Sequence, residues 1–428
     1  MADPRPGNWS RRAVVGGGLA LAGGAALYGV RRPDRGGPHN AYFQQLSQGL
    51  AAAGIARPVM VIDTDRLKHN IDAVRQTLAH SRLAVRVVVK SLPVPALLEA
   101  VASGLGTDRF MVFNGPMIAQ TLRFRPDADL LLGKPLPAAE VGHALDAALP
   151  LLAGRLGPQW LADSVERIRA YAALARARGI RLRVSLEIDV GLHRGGLRDP
   201  AAVGAALDAI GALPELELAG LMGYDPHVPK MPRPGPAYQA VLKSYRAATD
   251  VLRTRLSGEA YTKLTLNTAG SPTYRLHADD PVATEVAIGS CFVKPRDFDL
   301  ATLTHHVPAA FIATPVLKTV DPLKIPGLEP VDGVFRFLDE NSVRGFFVYG
   351  GHWLAEPESP PGLEYNGLYG RSSNQELLTG SRSVPLQPDD YVFLRPTQSE
   401  AVMLQFGDLV VYENGAISGS WPTFPVSA

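Results

Sequence analysis

Residues 185–196 read Ser-Leu-Glu-Ile-Asp-Val-Gly-Leu-His-Arg-Gly-Gly, and the fold prediction starts from this stretch. Its first half predicts a strand that ends in Glu187 and Asp189. The glycines that follow predict a turn, which presents His193 and Arg194. The stretch therefore predicts a strand whose end leads directly into a loop of charged side chains.

The same order of elements recurs on both sides of this stretch. Compact β-branched or leucine-rich runs are typical of parallel strands buried on both faces. They occur at 59–62, 85–89, 110–113, 130–132, 160–162, 184–188, 218–222, 264–267 and 286–289. Amphipathic stretches between them, such as 66–79, 164–178 and 201–212, predict helices. About eight repeats in roughly 250 residues predict an α/β fold, a (β/α)8 TIM-type barrel over residues 39–300. The alternative architecture is a doubly wound open sheet.

The pattern changes from about residue 301. Helical periodicity fades, and turns rich in Gly, Pro and Asp separate short strand-like runs at 309–315, 345–348, 391–394, 402–405 and 409–412. These runs predict a smaller C-terminal all-β domain over residues 301–428.

The N-terminus has the pattern of an export signal. Arg11 and Arg12 precede an uncharged, Gly- and Ala-rich run at 13–30, and Arg31 and Arg32 follow it. A basic start before a weakly apolar run predicts export of the protein, and the paired arginines suit the twin-arginine route. We expect residues 1–38 to be an export signal of a periplasmic protein or an inner-membrane anchor. An untargeted tail is the alternative.

Composition narrows the function classes. The 428 residues include 43 basic and 41 acidic side chains, a net charge of +2, so electrostatics give no reason to expect a nucleic-acid partner. The only cysteine, Cys291, excludes an internal disulfide and a multi-cysteine zinc site.

Lys90 is the first candidate for chemistry. It ends the apolar run at 87–89, which predicts a position at the carboxyl end of a barrel strand, where barrel enzymes build their sites. A partly desolvated lysine there can form an imine with an aldehyde cofactor. The plainer interpretation is a lysine that extends from the strand end into solvent.

A second candidate is the loop at 269–274, Ala-Gly-Ser-Pro-Thr-Tyr. Gly270 lets backbone N–H groups approach an anion closely, and Ser271 and Thr273 add hydroxyl donors. Barrel enzymes commonly bind phosphate after strands seven and eight, where this loop falls, and Gly289 with Ser290 would complete the cradle. The alternative is an ordinary Gly-Ser-Pro turn.

Taken in order, these motifs resemble the alanine racemase-like (fold type III) pyridoxal-phosphate enzymes, most closely the D-serine dehydratase and D-threonine aldolase branch. The resemblance covers roughly residues 58–421. The matching motifs are 58–63 with Asn70 and Ile71, then Lys90, 187–191 with 194–196, 222–224 with His227, 269–274, and 285–290.

The resemblance implies a pyridoxal 5′-phosphate cofactor on Lys90, an amino-acid substrate and a homodimer. It implies that Arg194 orients the substrate carboxylate or the ring hydroxyl, and that His193 or His227 serves as acid or base. It also implies cofactor contacts from Tyr224 and from the loop with Tyr274. We expect a lyase of aldolase or dehydratase type that acts on a D- or β-hydroxy amino acid through an external aldimine. The alternatives are a racemase or epimerase, a non-catalytic cofactor-binding protein, and a tethered binding module without cofactor.

The sequence departs from the branch at the usual metal pair. Gln398 stands where a histidine is expected, and Glu400 stands in place of a thiolate or aspartate. An amide with a carboxylate can still hold Mg²⁺ or Mn²⁺ but is a poor pair for zinc, so the sequence leaves open whether a divalent metal binds. Ala287 stands where an arginine often faces the cofactor ring.

Overall fold

A computed structural model describes residues 31–427 apart from 325, 328, 331, 368 and 369. The predicted export run at 13–30 lies outside these residues. None of the helices in the described part of the chain is long and apolar enough to cross a membrane. The described residues form two compact units, one of 59–311 with 395–427 and one of 31–58 with 312–394.

The larger unit contains a closed barrel of eight parallel strands, as the sequence predicts. Each strand pairs with the next along the chain, and the last pairs with the first. The strands are β2 Ala84–Val88, β3 Arg109–Val112, β4 Asp129–Leu132, β5 Gln159–Ala162, β6 Leu182–Ile188, β7 Leu216–Gly223, β8 Thr265–Thr268 and β9 Glu285–Ile288.

Helices follow the barrel strands and pack their apolar faces on them. Several of these helices begin at a side-chain cap: Asp63, Asn114 and Ser164 each accept a hydrogen bond from a backbone N–H of the first turn. The helices of this unit are α2 Thr64–Thr77, α3 Pro95–Leu105, α4 Gly115–Phe124, α5 Ala138–Leu152, α6 Val165–Arg178, α7 Pro200–Gly211, α8 Pro234–Arg255, α9 Gly258–Thr262 and the short α11 Ser399–Val402.

Charged side chains fill the end of the barrel where the strands begin. Arg86 is fully buried and forms ion pairs with Glu285 at 2.5 Å and with Asp129 at 2.8 Å. Glu285 also accepts hydrogen bonds from Arg109 and Asn267, so its buried carboxylate is surrounded by donors. This network ties strands β2, β3, β4, β8 and β9 together at the end opposite Lys90.

Two of the predicted strands differ in the structure. The run at 59–62 is a strand, β1 Val59–Asp63, but it pairs in parallel with β16 Leu409–Glu413 and lies outside the barrel. β16 in turn pairs with β17 Ala416–Trp421. The run at 402–405 is wrong as a strand, because it completes α11 and continues as a 3₁₀ turn. Short apolar runs do not distinguish a strand from a buried helical turn.

The smaller unit is a mostly antiparallel sheet, as predicted for the C-terminal region. Strand β10 Ala310–Val320 pairs with β11 on one side and with β15 on the other. Its other elements are α1 Ala41–Ala52, α10 Asp332–Leu338, β11 Arg344–Tyr349, β12 Ala355–Ser359, β13 Glu364–Tyr365, β14 Gln375–Gly380 and β15 Tyr391–Pro396. The sequence predicts one boundary near residue 300, whereas each compact unit is built from two chain segments.

Candidate active site

A cavity of about 480 Å³ lies at the carboxyl ends of the barrel strands. Every barrel strand contributes a residue that follows its end. These residues are Lys90, Phe113, Lys134, Asp163, Arg194, Tyr224, Gly270 and Ser290, for β2 to β9 in order. The volume and the mixture of apolar walls with a few charged groups are typical of a small-molecule site.

Lys90 lies in a 3₁₀ turn, Val89–Ser91, that directly follows β2. Its side chain is about one-third exposed (38%) and its Nζ lies 3.1 Å from Oε1 of Glu400. The same Nζ lies 5.0 Å from the centre of the Phe113 ring. A primary amine is therefore held in the cavity between a carboxylate and an aromatic face.

Two glycine-containing loops form a cradle beside this lysine. The Ser271 hydroxyl oxygen accepts hydrogen bonds from the backbone N–H groups of Gly289 and Cys291, which joins the loop after β8 to the loop after β9. Ser290 Oγ lies 3.1 Å from Ser91 Oγ, next to Lys90 in the chain. The loops predicted to bind an anion therefore line the same cavity as the amine.

The close approach of Gly270 to Tyr224 requires glycine. A Cβ built at Gly270 would lie 2.6 Å from the Tyr224 ring, closer than non-bonded carbon atoms come. The Arg194 guanidinium also packs against Tyr224, 5.1 Å from its ring centre. Burial raises the pKa of the Tyr224 hydroxyl, so this side chain stays neutral and acts as a wall of the cavity.

We expect Gly270→Ala to lower the free energy of unfolding by about 1–3 kcal/mol, because the added methyl must displace the Tyr224 ring. Gly211→Ala is the matched control, since a Cβ there meets no atom within 4 Å. Urea unfolding of both variants measures the difference. Equal stabilities of the two variants would contradict this packing.

Arg194 and Glu187 form the charged side of the cavity. Arg194 is half exposed and its guanidinium lies 4.0 Å from the Glu187 carboxylate. Burial raises the pKa of the Glu187 carboxyl, although Arg194 opposes the shift. Because this ion pair is long, N–H groups of the Arg194 guanidinium remain available to donate to a carboxylate or a hydroxyl of a ligand.

A buried charged network lies behind the Gly270 loop. Gly270 N–H donates to the hydroxyl oxygen of Thr273, which donates to Asp225 at 2.6 Å. His277 lies between two carboxylates, with Nε2 2.8 Å from Asp225 and Nδ1 2.9 Å from Asp280. Thr273 is thus fully buried and positions the loop from behind, whereas the sequence predicts it as a direct ligand.

The stability of this network is expected to fall at alkaline pH. Burial alone would lower the pKa of His277, but hydrogen bonds and charges of Asp225 and Asp280 outweigh burial and raise it from 6.5 to about 9. Because the folded state binds the His277 proton more tightly than the unfolded state, the protonated His277 stabilises the fold. This stabilisation is fully present below pH 6.5 and is lost as pH rises through about 9. The contribution is about 3 kcal/mol at most.

His277→Gln has no imidazole to titrate and serves as the comparison. The difference in unfolding free energy between the wild type and His277→Gln should be largest at pH 6.5 and should shrink by pH 10. A difference that is constant over this range would mean that His277 is not charged in the folded protein.

Five predicted site residues do not line the cavity: Thr273, His193, His227, Tyr274 and Gln398. His193 is 82% exposed, with its Nδ1 2.9 Å from Asp189. His227 packs against the Gly191 turn, with its Nε2 3.4 Å from a Cβ built there. The Tyr274 hydroxyl lies between the Nε2 atoms of His305 and His306, at 2.7 and 2.8 Å. The sequence predicts their loops correctly but not the direction of their side chains.

The two residues predicted as metal ligands, Gln398 and Glu400, contact different side chains. Gln398 is exposed, and its Nε2 donates to Asp297 Oδ2 at 3.0 Å. Glu400 faces Lys90 and lines the cavity. Within residues 31–427, less the five that are not described, no group of three or more His, Cys, Asp and Glu side chains is placed to hold a metal ion.

Two charged residues that line the cavity are absent from the sequence prediction. Lys134 and Asp163 follow β4 and β5, each within two residues of the strand end. The signal that identifies Lys90, a charged residue directly after an apolar strand, applies to both. Cys291 lies beneath the cradle, and burial raises the pKa of its thiol to about 12, so it is unreactive.

Comparison with known proteins identifies the family. Residues 62–296, more than half of the chain, match the family described as "Alanine racemase, N-terminal domain". The alanine racemase of Brucella ovis is 30% identical over 169 residues, which are 36% of this chain and 36% of that protein. The chain thus aligns with about a third of the length of its curated relatives.

Solved structures share the fold. D-threonine aldolase from Filomicrobium marinum superposes with a TM-score of 0.68 at 18% identity, covering 86% of this chain and 96% of that chain. D-threo-3-hydroxyaspartate dehydratase from Delftia sp. HT23 also gives 0.68 at 18% identity, covering 86% and 98%.

Proteins of this fold family bind pyridoxal 5′-phosphate. The cavity fits such a group, because a free amine and a glycine-lined cradle for an anion lie within it. A Cβ at Gly270 would lie 2.6 Å from the Tyr224 ring, and a Cβ at Gly289 would lie 2.8 Å from Val88, so both cradle loops need glycine where they pack against the cavity wall. The chain belongs to the family defined by the alanine racemase N-terminal domain, whose fold comprises pyridoxal-phosphate lyases and racemases.

Proposed function

We propose that this protein is a pyridoxal-phosphate enzyme that acts on amino acids. Lys90 would hold the aldehyde carbon of the cofactor, and the loops with Gly270, Ser271, Gly289 and Ser290 would hold its phosphate. The observation that carries the proposal is that the amine and both loops line one cavity at the carboxyl end of the barrel. A surface lysine and an unrelated turn would have no reason to share that cavity.

The residues of the chain supply binding and orientation. When bound, the cofactor supplies an electron sink for the bonds at the substrate Cα. Arg194 would present its planar fork to the substrate carboxylate, and its guanidinium packs 5.1 Å from the centre of the Tyr224 ring. Lys90 lines the cavity at the attachment point and would be placed to move the proton of the substrate Cα.

We propose a lyase that acts on a D- or β-hydroxy amino acid as the leading activity. The support is the carboxylate of Glu400 at the amine, a group that a simple cofactor carrier does not need. A racemase is the second candidate, because the matched 169 residues resemble alanine racemases at 30% identity. Racemisation needs a second base on the opposite face of the substrate, which we assign to a partner protomer in a homodimer.

A panel of D- and L-amino acids separates these activities. The protein, reconstituted with the cofactor, is incubated with each amino acid, and keto acid, aldehyde and enantiomer are measured. Keto acid or aldehyde supports the lyase, and the opposite enantiomer alone supports the racemase. If the reconstituted protein gives none of these products with any member of the panel, the proposed enzymatic function is wrong.

Export, a membrane anchor and the homodimer stay predictions. The run at 13–30 lies outside the described residues.

A further inference from the structure

Glu400 is the one predicted metal ligand that lies in the cavity. It belongs to the first turn of α11, directly after β15, and its side chain is 29% exposed. Its Oε1 lies 3.1 Å from Lys90 Nζ, and its Oε2 lies 3.4 Å from Ser399 Oγ. The carboxylate therefore reaches the amine without any intervening group.

This ion pair exists only while Lys90 is a free amine. In the proposed function Lys90 would be bonded to the cofactor and would then give way to the substrate amine. The carboxylate of Glu400 then loses its cationic partner while it still faces the cavity, where Ser399 offers a single weak contact. The Glu400 carboxylate, 29% exposed, would then be available to accept a hydrogen bond from a group that enters the cavity, and the substrate is the group that arrives there.

Covalent geometry shows which part of a substrate is within reach. In a β-hydroxy amino acid the hydroxyl oxygen is three bonds from the amino nitrogen, so the two atoms are about 3 Å apart in a gauche conformation. The substrate amine would take the place of the Lys90 amine and would therefore lie near the position of Nζ. A carboxylate oxygen 3.1 Å from Nζ is therefore within hydrogen-bonding reach of a β-hydroxyl.

We infer that Glu400 is the proton acceptor for the β-hydroxyl group of the substrate. The inference rests on the proposed function and narrows it to aldol cleavage. The β-hydroxyl proton moves to the Glu400 carboxylate, and the β-carbon forms a C=O bond. The Cα–Cβ bond breaks, its electron pair stays on Cα, and a proton later added to Cα gives glycine. The products are glycine and an aldehyde, and no oxidant or reductant is consumed.

The other carboxylates of the cavity are less suitable. Glu187 is directed to Arg194 at 4.0 Å and is nearly buried. Asp163 lies 3.6 Å from Arg167. Gln398 lies outside the cavity, and its amide, which is not a base, donates to Asp297. Among the carboxylates that line the cavity, Glu400 is the one that forms an ion pair with Lys90, the proposed cofactor lysine.

The test compares Glu400→Gln, Glu400→Asp and the exposed control Glu413→Gln in the reconstituted protein. Three quantities are measured: visible absorbance of cofactor bound to Lys90, exchange of the Cα proton of glycine with deuterated water, and aldehyde release from D-threonine and D-phenylserine. We expect Glu400→Gln to lose about 10²–10⁴-fold in aldehyde release. Cofactor absorbance and Cα exchange should stay within about threefold of the wild type, and Glu400→Asp should recover part of the loss.

Three results would overturn the inference. Glu400→Gln could release aldehyde at the rate of Glu413→Gln, or lose cofactor absorbance and Cα exchange together with aldehyde release. The wild type could also exchange the Cα proton of glycine without cleaving either β-hydroxy substrate, which leaves the proposed function standing. Absence of cofactor absorbance in the wild type is a different outcome, because it removes the proposed function as well.

Discussion

Lys90→Ala is expected to abolish covalent retention of pyridoxal phosphate and to reduce turnover by about 10³-fold or more. The Lys90 amine lies beside Glu400 in the cavity that the cradle loops also line. Its loss removes both the proposed attachment point of the cofactor and the group proposed to move the substrate Cα proton. The measurement combines visible absorbance after gel filtration with turnover of the best substrate from the amino-acid panel.

Lys68→Ala serves as the control, because Lys68 is an exposed lysine on α2 in the same compact unit. This variant should retain the colour and the turnover of the wild type. If Lys90→Ala stayed as coloured as Lys68→Ala after gel filtration, Lys90 would not be the attachment residue.

Glu285→Gln is expected to lower the free energy of unfolding by about 3–5 kcal/mol. The buried carboxylate accepts two hydrogen bonds from Arg86 and further ones from Arg109 and Asn267. An amide of the same shape leaves the fully buried Arg86 with Asp129 as its remaining carboxylate partner. A fully buried guanidinium that loses one of its two carboxylate partners costs far more than the loss of an exposed ion pair.

Urea unfolding of Glu285→Gln beside Glu259→Gln checks this expectation. Glu259 is 81% exposed and pairs with Lys263 on the surface, so its substitution should change stability by less than about 1 kcal/mol. Similar midpoints for the two variants would show that the buried network does not hold the barrel together.

The barrel could be predicted from the sequence because its strands are short apolar runs at regular spacing. All eight barrel strands overlap the predicted runs. Lys90 lies at the carboxyl end of the first barrel strand, where barrel enzymes place their catalytic residues. The cradle was predictable as well, since the motif at 269–274 and the pair Gly289–Ser290 follow consecutive strands. A local sequence pattern is therefore sufficient to predict a site whose residues follow the ends of successive barrel strands.

Features that depend on distant pairing were not predictable from local pattern. Strand β1 has the same apolar composition as a barrel strand, and its parallel pairing with β16 has no local signal. Glu400 is 310 residues from Lys90 along the chain, and a carboxylate in a Pro-Thr-Gln-Ser-Glu stretch gives no indication of its partner. Thr273 illustrates a third limit, because a loop motif does not show which of its hydroxyls face the cavity and which face Asp225.

The central claim is a covalent bond between Lys90 and pyridoxal phosphate, and peptide mapping tests it most directly. The protein is reconstituted with the cofactor, reduced with borohydride, digested and examined by mass spectrometry. The account predicts a stable phosphopyridoxyl group on the peptide that contains Lys90. The same group found only on other lysines, or on none, would contradict it.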